Sequence, residues 1–310
     1  MSIGWRVSLS VPASEAELAA DRLWGYGALG LEERGDNPVL LLAGFGDEAE
    51  ARAAAALEPG AGVEAIEDDS WADEWRAFAR PTRVGAVLVQ PAWLELADDH
   101  GATTVITIDP GRVFGSGSHA STVLALQALW AEPLDGAFVL DVGTGSGVLA
   151  IAAAYRGAAR VLATDVDPAA LEACTDNAAR NDVAARVIAV DEHPSAFAAT
   201  FDCVIANLLA VTLRELAGDL VTVVVPGGSL VLSGMLEAQL DEVTAVFVEA
   251  GCSLRDVHRV DGWVAAVFDR DDPDSYDEPL DEDWFDDSPW PTRDEGTRAK
   301  LQLPLKPSSA

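Results

Sequence analysis

Three glycines at alternate positions, Gly143, Gly145 and Gly147, stand between the apolar run 138–142 and the helix-like segment 148–155. Glycine has no Cβ atom, so this spacing allows a sharp turn from strand to helix and lets a ligand approach the main chain closely. A ligand at the turn would also face the amino terminus of the helix. Such a turn indicates cofactor binding, although dinucleotide-binding folds and ordinary tight turns share it.

A carboxylate follows the next predicted strand, because residues 161–165 end on Asp165, 22 positions beyond Gly143. At the tip of the second strand of an α/β sheet, a carboxylate can accept hydrogen bonds from both hydroxyls of a ribose. The turn is D-x-G-x-G-x-G from Asp141, unlike the G-x-G-x-x-G of nicotinamide enzymes. These features resemble S-adenosylmethionine-dependent methyltransferases of the Rossmann-like class. The alternative is a nicotinamide enzyme or an inert turn.

A third polar side chain ends the apolar strand predicted over residues 201–206, and this is Asn207. In methyl transfer a neutral amine displaces the sulfonium in line, so the site must orient a lone pair more than supply a strong base. An amide oxygen that accepts a hydrogen bond from the amine does this and stabilises the charge developing on nitrogen. We therefore predict that Asn207 is catalytic; the alternative is a cap for the helix that follows.

The loop from Asp109 to Thr122 is unusually rich in glycine and hydroxyl groups, and it leads into a helix predicted over 122–130. In a Rossmann-like domain such a loop can fold back across the cofactor mouth, where its hydroxyls and amides hold a carboxylate. His119 in this loop is a candidate base. A hydrogen-bonded loop histidine is the alternative.

The regular alternation of helices and strands beyond the turn predicts a doubly wound parallel sheet with the cofactor above the carboxyl ends of its strands. We predict helices over 148–156, 168–181, 208–219 and 237–249, and strands over 161–165, 186–190, 201–206, 229–233, 253–259 and 263–268. Before the turn, residues 84–90 and 103–109 alternate as two strands of a hairpin-like lead-in.

Residues 5–67 follow the order βαββαβ, which is typical of a ferredoxin-like unit with two helices on one face of a four-stranded sheet. They carry no cluster of catalytic residue types, so docking is the expected role, with a purely structural role as the alternative. The predicted domains are therefore 1–67, a linker helix over 68–83, the larger domain over 84–268, and an acidic tail over 269–310 that composition predicts to be disordered.

Net charge is −32, and it is spread along the chain: residues 1–268 hold 39 acids and 15 arginines, and residues 269–310 hold 13 acids and 5 bases. An acidic body repels a phosphate backbone and favours a basic partner, so we expect no direct nucleic-acid contact. Composition bias or solubility in high salt is the alternative.

The apolar segments set the expected environment. No apolar run reaches the ~20 residues of a membrane helix, and the amino terminus shows no export signal. We therefore expect a cytoplasmic protein without membrane contact. The three cysteines lie far apart and lack metal-ligand spacing, so no metal site is expected.

Four separated segments within residues 5–268 resemble the PrmA family of bacterial methyltransferases, which modify large-subunit ribosomal protein eleven. They are D-S-W-A-D-E-W from Asp69, D-P-G-R-V-F-G-S-G-S-H from Asp109, D-V-G-T-G-S-G-V-L-A-I from Asp141, and A-N-L-L-A from Ala206. The resemblance implies a small substrate-recognition domain before a larger domain that binds S-adenosylmethionine.

By motif, the resemblance implies cofactor contacts at Thr122, Gly143, Asp165 and Asn207, to which the turn adds Gly145. It also implies transfer of methyl groups to lysine ε-amines or the terminal α-amine of a basic ribosomal protein. Two alternatives remain: an amine methyltransferase acting on another protein, a small molecule or a nucleobase, and a non-catalytic S-adenosylmethionine-binding docking module.

Overall fold

The computed structural model describes residues 4–66 apart from 27, 29 and 36, residues 80–95, residues 101–197 apart from 112, and residues 200–272. The chain divides into two units, Met1–Asp271 and Asp272–Ala310. Most of the predicted linker helix and nearly all of the predicted tail lie outside the described residues, and the three boundaries between the predicted segments stay predictions.

The first four strands form one antiparallel sheet in the order β2-β3-β1-β4. Alternate residues of β1 and β3, such as Leu9 and Leu41, are buried on one face, where they pack with Leu23 and Ala51 of two helices in a single core. The predicted βαββαβ order is the observed one. The elements are β1 (Gly4–Val11), α1 (Ala13–Gly25), β2 (Gly30–Arg34), β3 (Val39–Phe45), α2 (Glu48–Leu57) and β4 (Gly62–Ile66).

A small three-stranded sheet precedes the main one, with β5 (Thr82–Val84), β6 (Val87–Pro91) and β7 (Thr104–Ile108) in that order. β5 and β6 form an antiparallel hairpin, whereas β6 and β7 are parallel. The predicted hairpin between 84–90 and 103–109 is therefore wrong. Gly85 has φ +56° and lies in the turn between β5 and β6, so the hairpin forms one strand earlier than predicted. The segment between β6 and β7 is long enough to return the chain for parallel pairing.

The main sheet has seven strands in the order β10-β9-β8-β11-β12-β14-β13. All neighbours are parallel except those that involve β14. The elements are α3 (Ala120–Ala131), β8 (Phe138–Val142), α4 (Val148–Tyr155), β9 (Arg160–Thr164), α5 (Pro168–Arg180), β10 (Val187–Val190), β11 (Phe201–Asn207), α6 (Ala210–Val223), β12 (Val224–Leu236), α7 (Leu240–Glu249), β13 (Cys252–Val260) and β14 (Trp263–Arg270).

Helices cover both faces of this sheet, which explains why its strands are apolar on both sides. Val139 of β8 belongs to the core shared with α3, α4 and α5, and its neighbour Leu140 belongs to the core shared with α6 and α7. The predicted doubly wound α/β architecture is confirmed. Two helices begin two residues away from their predicted start: α3 begins at Ala120 instead of 122, and α6 begins at Ala210 instead of 208.

An irregularity in β12 brings the chain after β11 close to the sheet. The β12–β14 register shifts between Leu232 and Met235, and Gly234 within it has φ +86°. A Cβ at Gly234 would lie 2.4 Å from the carbonyl oxygen of Leu208, and the Leu208 N–H donates to the Ser233 carbonyl at 3.0 Å. Glycine here therefore fixes the backbone that follows Asn207.

We expect Gly234→Ala to lower the free energy of unfolding by at least about 3 kcal/mol, because it adds a backbone clash to left-handed strain of about 1–2 kcal/mol. Gly227→Ala is a matched control in the same strand, since Gly227 has φ +74° and nothing within 4 Å of an added Cβ. Urea unfolding of both variants measures the difference. Equal losses would contradict the close approach of Leu208.

Candidate active site

The carboxyl ends of three adjacent strands bring the predicted residues to one edge of the sheet. Gly143 follows β8, Asp165 follows its neighbour β9, and Asn207 ends β11 on the other side of β8. Strand order reverses at β8, and this switch point is where open α/β sheets bind ligands. A cavity of about 760 Å³ opens here, and its lining includes Gly143, Gly145, Asp165 and Asn207. Its volume suits a cofactor.

All three glycines of the turn have left-handed backbone, with φ +71° at Gly143, +52° at Gly145 and +82° at Gly147. A Cβ at Gly143 would lie 2.3 Å from Leu208 Cδ2, and one at Gly145 would lie 2.5 Å from the Phe114 carbonyl oxygen. The close packing of Leu208 and Phe114 against the turn therefore requires glycine at Gly143 and Gly145, whether or not a bound ligand also requires it.

Asp141 lies buried beneath the turn, although sequence analysis gave it no role beyond the motif. Its Oδ2 accepts hydrogen bonds from Thr144 Oγ1 at 2.7 Å and from the Ala150 N–H at 3.1 Å. Its Oδ1 is buried and has no partner among the described residues. Burial raises the pKa of this carboxyl to about 7, against the lowering effect of the two hydrogen bonds.

Asp165 is held in place by two backbone N–H groups. Its Oδ2 accepts from Gly145 at 2.9 Å, and its Oδ1 accepts from Asp167 at 3.0 Å. An ionised carboxylate oxygen has two lone-pair sites, so both oxygens can accept a further hydrogen bond. The side chain is thus oriented at the cavity and still able to bind a diol.

Asn207 is half-buried at the cavity, and its Nδ2 donates to Thr122 Oγ1 at 3.3 Å. This contact uses an amide hydrogen and leaves the amide oxygen to accept from a ligand. Thr122 itself is buried and is not among the lining residues. The alternative that Asn207 caps α6 is wrong, because Leu209 occupies the N-cap position and no side-chain bond caps that helix.

The loop before α3 lies against the glycine-rich turn. The Ser146 N–H donates to the Phe114 carbonyl at 2.9 Å, and Ser146 Oγ donates to the Gly115 carbonyl at 2.6 Å. Val113, Phe114 and His119 thereby line the cavity. Sequence analysis predicted the loop but not the role of Ser146, because the two segments meet only in the fold.

His119 caps α3: its Nδ1 accepts from the Ser121 N–H at 3.3 Å and lies 2.8 Å from Ser121 Oγ. Its ring meets Phe114 and Trp263 edge-on, at centroid distances of 5.5 and 4.8 Å. Burial lowers the pKa of His119 to about 4, so the ring is neutral at pH 7. With Nδ1 accepting, the ring proton is on Nε2, which therefore cannot take a proton. The geometry favours the hydrogen-bonded loop histidine over the base.

Two aromatic cavity residues, Phe114 and Trp263, were missed by sequence analysis. Trp263 begins β14, far along the chain from the turn, and no local pattern distinguishes it from a core aromatic. With His119 they form a row of rings inclined at 69° and 76° to one another.

The cavity is acidic. Its lining carries five carboxylates and, within the part of the chain that the structure describes, no lysine or arginine; the carboxylates are Glu50, Asp165, Asp167, Asp191 and Glu192. Like charges focused in a concave site attract ligands of opposite sign. The cavity therefore favours a cationic ligand and disfavours a phosphate backbone.

The strand order, the glycine-rich turn after the first strand of the parallel sheet, and the carboxylate after the second define a Rossmann-like methyltransferase that uses S-adenosylmethionine. The family described as "Ribosomal protein L11 methyltransferase (PrmA)" matches residues 44–271. The chain belongs to this family.

Individual relatives agree with the family match. A ribosomal protein L11 methyltransferase of Symbiobacterium thermophilum is 40% identical over 205 residues, which cover 65% of this chain and 66% of that protein. One of Sorangium cellulosum is 38% identical over 257 residues, covering 77% and 81%. The crystal structure of the ribosomal protein L11 methylase of Lactobacillus delbrueckii subsp. bulgaricus superposes with a TM-score of 0.57 at 28% identity, covering 62% of this chain and all of that one.

The described residues contain no group of three or more His, Cys, Asp or Glu side chains placed to hold a metal ion. None of their helices combines the length and apolarity needed to cross a membrane.

We expect acid to destabilise the protein partly through His119. The pKa of His119 is about 4 in the folded protein, against 6.5 for an unperturbed histidine. As pH drops from 6.5 to 4, the unfolded chain therefore binds the proton first, and the free energy of unfolding falls. His119→Asn keeps a capping oxygen but cannot titrate. From pH 7 to pH 4, its free energy of unfolding relative to the wild type should rise by up to about 3 kcal/mol. Urea unfolding at each pH gives the free energy of unfolding of the two proteins. If the two free energies changed with pH in parallel, the conclusion that the buried His119 ring is neutral would be wrong.

Proposed function

We propose that this chain transfers methyl groups from S-adenosylmethionine to lysine ε-amines, or to the terminal α-amine, of ribosomal protein L11. The observation that carries the proposal is the Asn207 amide, held by Thr122 at the edge of an acidic cavity beside the glycine-rich turn. The relatives are named as ribosomal protein L11 methyltransferases, which supports L11 as the substrate, and the acidic lining suits a basic protein.

The residues present fit the cofactor. S-adenosylmethionine carries a sulfonium, an ammonium group and a ribose, and the cavity offers five lining carboxylates. Beneath the turn lies Asp141, whose buried Oδ1 has no partner among the described residues. We propose that Asp165 accepts hydrogen bonds from the ribose hydroxyls and that the Gly143 and Gly145 backbone lies beside the ligand. The predicted cofactor contact of Thr122 stays a prediction; its hydroxyl contacts Asn207.

When bound, the cofactor supplies an electrophilic methyl group on its sulfonium. The chain's contribution is orientation: Asn207 Oδ1 accepts a hydrogen bond from the neutral amine and stabilises the charge that develops on nitrogen. His119 does not take the proton, because its Nε2 is protonated and its Nδ1 is committed to Ser121. The proton therefore leaves to solvent.

We further propose that the protein acts in the cytoplasm, without direct contact with nucleic acid or membrane. The acidic cavity supports the exclusion of nucleic acid. We also propose that the four-stranded sheet and its two helices recognise the substrate protein, since Glu50 of α2 is among the cavity-lining residues.

A methyl-transfer assay with labelled S-adenosylmethionine tests the proposal directly. Purified L11, ribosomal RNA and free lysine are offered separately. We expect label in L11 alone. Label in RNA or free lysine instead would identify a different amine substrate, and S-adenosylmethionine binding without transfer to any of them would indicate a docking module.

Asp165→Ala should weaken S-adenosylmethionine binding by about 1–3 kcal/mol, because ribose hydroxyls would lose their acceptor. Calorimetry measures the affinity, and circular dichroism checks that the turn still folds without the Asp165 contact to Gly145. Unchanged affinity in a folded variant would remove Asp165 from the ribose site.

Asn207→Ala should lower the rate at saturating substrates by ~100-fold or more while cofactor affinity changes far less, because it removes one preorganised polar group. In both forms the rate should rise with pH across the neutral range, since a free lysine loses its proton near ~10.4. Single-turnover kinetics and calorimetry separate the two effects. A variant defective only in cofactor binding would show that another group orients the amine.

A further inference from the structure

Asn177 of α5 and Asn181, the C-cap residue of the same helix, lie one helical turn apart and are both buried. Each side-chain amide bonds both the N–H and the C=O of a residue on the open side of β7. Asn181 accepts from the Thr107 N–H at 2.8 Å and donates to its carbonyl at 2.7 Å. Asn177 accepts from the Asp109 N–H at 2.9 Å and donates to its carbonyl at 2.9 Å. The two amides thus replace the peptide groups of a missing neighbouring strand.

The two asparagines differ in their remaining bonds, since Asn177 Oδ1 also accepts from Arg180 Nη1 at 2.5 Å. Asn177 Nδ2 also donates to the Ser146 carbonyl at 2.9 Å, within the turn that follows β8. The second donor bond of Asn181 goes to the carbonyl of Asn177, in its own helix, at 2.8 Å. Asn177 therefore joins the base of the 109–115 loop to the turn, whereas Asn181 joins the strand to the helix only.

Ser146 completes this connection from the other side, because its N–H and hydroxyl bond the carbonyls of Phe114 and Gly115. These bonds hold the loop at Asp109 and again at Phe114. Phe114 and its neighbour Val113 line the cavity. A shift at Asp109 would be transmitted along five residues to this wall of the cavity.

We infer that Asn177 is a positioning residue for the methyl-donor site: it fixes the 109–115 loop against the glycine-rich turn and so sets one wall of the cofactor cavity. This inference rests on the proposed function, since it takes the cavity to be the S-adenosylmethionine site. A merely structural role would make Asn177 and Asn181 equivalent, because both attach α5 to β7.

The matched variants Asn177→Ala and Asn181→Ala separate the two roles. Both delete buried hydrogen bonds, so both should lower the melting temperature. Asn177→Ala should in addition weaken S-adenosylmethionine binding by about 10-fold or more, against about 2-fold or less for Asn181→Ala. Calorimetry of each purified variant gives the affinities. In kinetics, KM for S-adenosylmethionine should rise in Asn177→Ala with little change in kcat.

Ser146→Ala provides a second test that deletes only a hydroxyl and keeps the shape of the turn. It should weaken S-adenosylmethionine binding in the same direction, and the Asn177→Ala/Ser146→Ala pair should lose less affinity than the product of the single losses, since both act on one loop. If Asn177→Ala does not fold, Ser146→Ala with Asn181→Ala as control still decides the question.

Equal affinity losses in Asn177→Ala and Asn181→Ala, or unchanged affinity in both Asn177→Ala and Ser146→Ala, would overturn the positioning role. Failure of the wild-type chain to bind S-adenosylmethionine would instead overturn the proposed function. The two failures are thus distinguished by the wild-type titration alone.

Discussion

The crowding around one five-residue turn is the constraint on which the rest of this structure depends. Each glycine of the turn faces a different neighbour: Leu208 after β11, Phe114 in the loop before α3, and Cys174 of α5. Three segments that are distant in sequence can meet only because these positions lack a Cβ and adopt left-handed backbone. The turn therefore determines where the candidate catalytic amide, the loop and the following helix stand relative to one another.

Charge organises the same region in a second way. Five carboxylates line the cavity. Burial raises the pKa of Asp141 to about 7 and lowers the pKa of His119 to about 4, so it favours the uncharged form of each side chain. The acidic rim favours a cationic ligand. The neutral imidazole of His119 offers no free nitrogen to act as a base.

Local patterns in the sequence were enough to predict the doubly wound sheet and where the candidate site residues lie on it. The glycine spacing, the carboxylate after β9 and the asparagine at the end of β11 are each visible within a few residues, and the doubly wound sheet follows from buried apolar strands alternating with helices. The parallel pairing of β6 with β7 and the contact of Asn177 with Asp109 were not predictable, because each depends on partners brought together only by tertiary packing. Trp263 was missed for the same reason.

The two amides at the carboxyl end of α5, Asn177 and the C-cap residue Asn181, have a consequence for association between molecules. β7 carries the sequence Thr-Val-Ile-Thr-Ile and lies at the end of its sheet, with strand β6 on one side only. An open strand of this composition is a template on which another chain can pair and aggregate. Asn177 and Asn181 bond the otherwise free backbone N–H and C=O groups of Asp109 and Thr107. The two side chains therefore cover the open edge of β7 and protect it from pairing with another chain, without a further strand.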